Sequence, residues 1–229
     1  SHANEKGIYT ITSTNGQFLN DANAKATVES GLNRLIISID GTTQATYEQY
    51  RKEGNLEVVL QGVRNVVKWK RQLQASTPHI VLQYLVVRPN EHQIPEIRKM
   101  ASELGVDALS FKTAQVYDYE HGNPLIPTNE NLSRYRRLPD GRYEPKANLH
   151  DHCWKLWHGA VITWDGLVVP CCFDKDATHQ LGDLKQHSFQ EVWSGAPYQA
   201  FRQQLFFGRN QIDICTNCTE GCKVWLRPE

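Results

Sequence analysis

The stretch RLIISIDG, residues 34–41, runs apolar and β-branched and then stops on an acidic residue and a glycine. A short apolar run without alternation reads as a strand covered on both faces, which is the pattern of a parallel sheet. Its neighbours repeat the pattern. Residues 8–13 (IYTITS), 79–87 (HIVLQYLVV) and 108–112 (ALSFK) read as further strands, the first of them as buried. Helical segments lie between them, over 22–30, 43–51, 56–73 and 94–104, with Gly31 and Gly105 closing the first and last. In 56–73, Val59, Val63, Val66, Val67 and Trp69 form a stripe close to the helical period. Strands alternating with helices predict an α/β fold with a parallel sheet covered by helices.

Ligands of such sheets bind at the carboxyl ends of the strands. Those ends carry Thr14-Asn15-Gly16, Ser38-Ile39-Asp40-Gly41, Arg88-Pro89-Asn90 and Lys112-Thr113. These residue types also simply form turns. Residues 1–7 read as the tail of a helix stopped by Gly7, so the chain reads as part of something longer.

Lysine plus arginine equals aspartate plus glutamate at 25 each among 229 residues, giving zero net charge. A nucleic-acid or anionic-membrane partner is therefore not expected, because both call for a basic surface. With no apolar run of membrane-spanning length and no signal-peptide pattern, the expected location is cytoplasmic.

All six cysteines, Cys153, Cys171, Cys172, Cys215, Cys218 and Cys222, fall in the last third. Without a secretion signal, metal ligation or redox chemistry is the stronger reading and disulfides the weaker. Cys215-Thr-Asn-Cys218 is a CxxC turn, able to present two thiolates to one centre. Two distant cysteines would complete four ligands, for either tetrahedral zinc or an iron–sulfur cluster. The partners are separated by a hairpin rather than paired in a second knuckle, which favours the wider cluster. Asp165-Gly166 predicts a two-residue type I′ turn between strands 160–164 and 167–171. Pairing Trp164 with Leu167 puts Ala160, Ile162, Trp164, Leu167, Val169 and Cys171 on the larger apolar face, and Cys172 on the other. Cys171 is thus the ligand candidate and Cys172 a structural thiol; Cys222 reads as spare. Ser188-Phe-Gln-Glu191 is a capping box opening a helix with Phe189, Val192 and Trp193 inward. Tyr198, Phe201 and Leu205 continue as core.

TNG (residues 14–16), SIDG (38–41) and Arg51 within TYEQYRKEG resemble the middle of a radical S-adenosylmethionine (SAM) enzyme. The tail is the more specific part. It runs CWKLWHG, WDGLVVPCC, LGDL, SFQEVWSG and CTNC, and resembles the SPASM/Twitch domain that follows in that family. The resemblance implies a partial (βα)6 radical-SAM barrel of about four βα units over residues 1–116. A linker over 117–151 and a small cysteine-rich auxiliary domain over 152–229 would follow. It implies that Thr14 and Ser38 touch SAM and that Arg51 makes a further contact through its planar donor fork. Cys153, Cys171, Cys215 and Cys218 would hold one auxiliary [4Fe-4S] cluster, whose expected task is electron transfer. The family's CxxxCxxC loop, which holds a second [4Fe-4S] cluster, has no counterpart here. The first two βα units are therefore expected upstream, the chain alone is expected to be inactive, and the intact parent is expected to be the oxidoreductase. Its implied partners are a peptide or small-molecule substrate and a reductant such as flavodoxin or ferredoxin. The alternative is a non-catalytic zinc-binding module on a degenerate barrel.

Overall fold

A computed structural model describes residues 2–147 and 149–218. Cys222 lies outside the described residues. Contacts divide the chain into one unit reaching from the amino end to Tyr143 and a second beginning at Glu144.

The first unit opens with a short helix α1 (His2–Glu5), followed by Gly7 at φ +66°, and then alternates strand and helix. β1 (Ile11–Thr14), α2 (Asp21–Glu29), β2 (Arg34–Ser38), α3 (Gln44–Tyr50), α4 (Leu56–Gln72), β3 (His79–Val86), α5 (Ile94–Leu104) and β4 (Ala108–Thr113) follow in turn. The strands form one sheet in the order β1-β2-β3-β4, every pair parallel. The α/β expectation from residues 34–41 therefore holds. Helix starts are written in the sequence: Asn20, Thr43 and Asn55 each accept a hydrogen bond from the amide three residues on. Gly105 ends α5 in the left-handed conformation.

The core is laid down by periodicity. α4 buries Leu56, Val59, Leu60, Val63, Val66 and Val67 on one face. They pack on Leu35, Ile37, Ile80, Leu82 and Tyr84 of the sheet, each fully buried aliphatic side chain contributing about 1.5–3 kcal/mol. β1 departs from the expectation. It begins three residues later than read, and Ile8, Tyr9 and Ile11 are more than half exposed. The reason is its place at the sheet edge, where it pairs with β2 alone.

Residues 117–143, read from sequence as linker, are packed. Val87, Ala114, Val116, Ile126 and Tyr135 form a small core of their own, with Tyr119 and Tyr143 against it. β5 (Tyr135–Arg137) and β6 (Tyr143–Pro145) form a two-stranded hairpin, and the boundary between units falls within β6.

The second unit contains α6 (Lys155–His158), a three-stranded antiparallel sheet of β7 (Val161–Ile162), β8 (Leu167–Val169) and β9 (Gly182–Asp183), and then α7 (Phe189–Ser194), α8 (Ala196–Gly208) and α9 (Asp213–Thr216). Ser188 and Glu191 form the predicted capping box. Val192 is buried, but Phe189 is largely exposed, because α7 makes under two turns and its first residue lies beyond the core. Tyr198, Phe201 and Leu205 are core as read. The hairpin register also differs. Ile162 pairs with Val168 and Val161 with Val169, and Thr163 closes on Leu167 across a three-residue loop. The Thr163 hydroxyl accepts from the Leu167 amide and Gly166 sits at φ +90°, which widens the turn by one residue. Trp164 is at the tip, 98% exposed, and shields nothing.

Candidate cluster site and strand-end rim

In the second unit, none of the described cysteines pairs in a disulfide. Cys215 and Cys218 are buried, Cys153 and Cys171 half-buried, Cys172 exposed. Helix α9 and the turn after it present Cys215 and Cys218, with the Cys218 amide donating to the Cys215 carbonyl. Cys171 follows β8, and Cys153 precedes α6. Electrostatics tie them together. Burial pushes the Cys171 thiol up to about 11, and the charges of Cys172 and Cys218 add to it. Burial likewise pushes Cys215 up to about 11, against the lowering effect of Arg209, while Cys218 and Cys171 raise it.

Arg209 is the residue that sequence reading missed. It is 1% exposed, and its Nη2 donates to Cys218 Sγ at 3.5 Å. Its Nη1 donates to the carbonyls of His150 and His152, and its amide to Asp151 Oδ1 at 2.9 Å. Burial disfavours its charge, yet the thiolates of Cys218, Cys153 and Cys215 outweigh burial and raise its pKa. One guanidinium thus senses three of the four candidate ligands, and Cys171 senses a member of the same set. Asp174, also missed, is buried and accepts from Thr178 and the His179 amide, fixing the loop after Cys171. Its signal was an aspartate four residues before a threonine in DKDATH, the spacing of a side-chain-closed turn.

Among the described residues, no three cysteine, histidine or acidic side chains converge tightly enough to hold a single metal ion. Zinc needs its sulfurs within about 2.3 Å of one point. The donors are soft sulfurs, and Val168, Leu181, Tyr198 and Leu205 build the apolar core of this unit, which Cys215 joins. Arg209 supplies a buried positive charge. These features fit an iron–sulfur cluster.

In the first unit, Thr14 and Ser38 end the adjacent strands β1 and β2, and Thr14 Oγ1 accepts from the Gly16 amide at 3.1 Å. Gly16 has φ +76°, and a Cβ there would lie 2.9 Å from Val59. Gly41 is equally constrained, since its Cβ would meet the Tyr47 amide at 2.5 Å. Arg51 caps α3 and donates from Nε to Asp40 Oδ2. Asp40 is 1% exposed and also accepts from the Leu85 amide at 2.8 Å, completing the β2–β3 ladder where β2 leaves the sheet. Burial raises the Asp40 pKa despite the pull of Arg51 and that amide. Asn90 extends the network, donating to the carbonyls of Asp40 and Leu85, while its Oδ1 accepts from the Val87 amide. Sequence reading named Asp40 and Asn90 only as strand-end polar residues.

Residues 153–219 match the family model of SPASM, an iron–sulfur cluster-binding domain. The chain is 26% identical, over 94% of its own length and 67% of the other's, to the tungsten-containing aldehyde ferredoxin oxidoreductase cofactor-modifying protein of Pyrococcus furiosus. The crystal structure of Streptococcus suis SuiB bound to S-adenosylmethionine superposes with a TM-score of 0.63 at 13% identity. That superposition covers 97% of this chain and 57% of SuiB, so the chain spans under two thirds of that protein. A second SuiB structure gives a TM-score of 0.61 at 12% identity. Residues 153–219 thus match an iron–sulfur cluster-binding domain, on a chain that shares the fold of SuiB.

Proposed function

We propose that this chain works within a radical SAM oxidoreductase that abstracts hydrogen from a peptide or small-molecule substrate and carries one auxiliary [4Fe-4S] cluster. The observation that supports the reading is that Cys153, Cys215 and Cys218 all act on the buried Arg209, and Cys171 on Cys215, inside the segment that matches SPASM. The cluster, when bound, supplies a one-electron acceptor for the product side of the reaction. The chain's own residues do the rest. Arg209 places a fixed positive charge and an N–H donor against Cys218 Sγ, the kind of partner a ligating sulfur needs. Val168, Tyr198 and Leu205 exclude water from the core that holds Cys215.

At the strand ends, Thr14 and Ser38 offer hydroxyls to SAM, and Arg51 keeps donors beyond the Nε that Asp40 engages. Asp40 fixes the direction of that fork. A small reductant protein such as flavodoxin or ferredoxin would deliver electrons.

The test is anaerobic reconstitution of the chain with iron and sulfide, read by absorption, Mössbauer spectroscopy and metal content. One [4Fe-4S] cluster per chain is expected, lost in Cys171→Ala and kept in Cys172→Ala, whose thiol is exposed. A colourless protein holding one zinc would overturn the reading. Cluster loss in Cys172→Ala with retention in Cys171→Ala would overturn the ligand choice.

A further inference from the structure

We propose that a cleft in the first unit, walled by Arg88 and residues 121–143, binds the anionic group of a substrate, a carboxylate or a phosphate, between Arg88 and Arg137. The cleft has a volume of about 780 Å³, within the range that holds a small organic ligand. It lies beyond the carboxyl end of β3, two residues past Val86, on the edge where parallel sheets receive ligands. Thr14 and Ser38 belong to β1 and β2, so this position is separate from theirs in the strand order.

The walls are built, not loose. Arg88 is tied to the 121–143 segment twice: its amide donates to the Leu125 carbonyl at 3.1 Å and its Nε to the Ile126 carbonyl at 2.9 Å. Glu91 clasps the amides of Thr128 and Asn129. The hydroxyl of Tyr135, a buried residue, accepts from the Val116 amide at 2.8 Å and donates to its carbonyl at 2.9 Å, and its ring stacks on Tyr119. Six hydrogen bonds of this kind are more than a passive connector needs.

The lining chemistry points to an anion. With Nε committed, the terminal nitrogens of Arg88 make no hydrogen bond among the described residues, although its charge is felt by Glu91 beside it. The Arg137 guanidinium has no hydrogen-bond or ion-pair partner among the described residues, and its Nη2 lies 3.8 Å from where a Gly141 Cβ would stand. His121 offers a further ring N–H, and Glu130 is a carboxylate that the lining sets against them. Two planar forks suit the paired oxygens of a carboxylate or phosphate better than any neutral group. Pro124, Pro127 and Tyr143 give apolar surface for the rest of the molecule.

Calling the ligand a substrate rests on the radical SAM reading above; its binding does not. The full chain, without iron, is titrated with glutarate and separately with inorganic phosphate and followed by amide NMR. Saturable shifts confined to Arg88 and residues 121–143 are expected for at least one anion, and the tighter of the two names the group. Arg137→Gln should weaken that binding at least tenfold with unchanged melting, since Arg137 holds no other side chain in place. Arg88→Gln should weaken it as well. Absence of saturable shifts with both anions, or wild-type affinity in both variants, overturns the proposal. Iron-free binding keeps this result independent of cluster assembly, so either reading can fail alone.

Discussion

Arg209 is where the chemistry of the second unit is concentrated. A hydrogen bond or positive charge at a ligand sulfur stabilises the reduced, more negative state of a cluster and raises its potential. Arg209→Gln is therefore expected to shift the midpoint potential of the reconstituted cluster to more negative values, read by anaerobic redox titration with EPR detection. Arg209→Lys restores the charge without the fork and should recover part of the shift. An unchanged potential in the Gln variant, with cluster content intact, would remove Arg209 from this role. Nothing in the sequence singled it out, because FFGRNQ carries no spacing or motif and its burial depends on folding against residues 150–152. The cysteines were legible for the opposite reason: their chemistry and CxxC spacing are local. Even there the face argument for Cys171 used a two-residue turn, and the Thr163 hydroxyl makes the loop one residue longer.

The elements were legible where periodicity is dictated by burial. α4 buries what its pattern says it should; β2 buries Leu35 and Ile37 but leaves Ile36 half-buried, so only one of its faces is fully covered, and β1 has an apolar pattern and an exposed position. Pattern reports what a strand is suited to cover, and pairing decides whether anything covers it. The helix–strand connections hold finer devices. Asp107, just before β4, accepts from the Ile80 amide at 2.6 Å and from Lys70 at 2.7 Å, linking the end of α4 to the start of β3. Burial works to raise its pKa, but the amide and Lys70 prevail and it is lowered. A carboxylate depressed in the folded state adds stability that is complete above its unfolded pKa, near 4, and lost as pH falls through the folded value. Asp107→Asn should cost about 1 kcal/mol at neutral pH, since the charge-assisted bonds are partly exposed to solvent. Denaturant melts from pH 7 to pH 3 should show the gap between variant and wild type closing toward the acid end; a constant gap would contradict the linkage.

At the scale of the whole chain, the two units carry separate apolar cores, one on the parallel sheet and one around β8 and α8. The division was partly written in composition, since the first 152 residues hold no cysteine. The extent of the first unit was not, because Pro- and Gly-rich residues 117–143 look like linker until Tyr135 and Arg88 fasten them. Separate cores have a thermodynamic consequence. A ligand that binds only the folded form of one unit stabilises that unit by mass action and leaves the other untouched. All four candidate ligands lie in the second unit, whose small sheet and short helices give it the smaller core. Its stability should therefore depend on the cluster, and that of the parallel-sheet unit should not. Anaerobic calorimetry of the reconstituted chain is expected to show two transitions. Removal of iron by a chelator should lower one by several degrees, and hydrogen exchange should assign it to residues 150–218. A single transition that moves as a whole on iron removal would mean that the two cores melt as one.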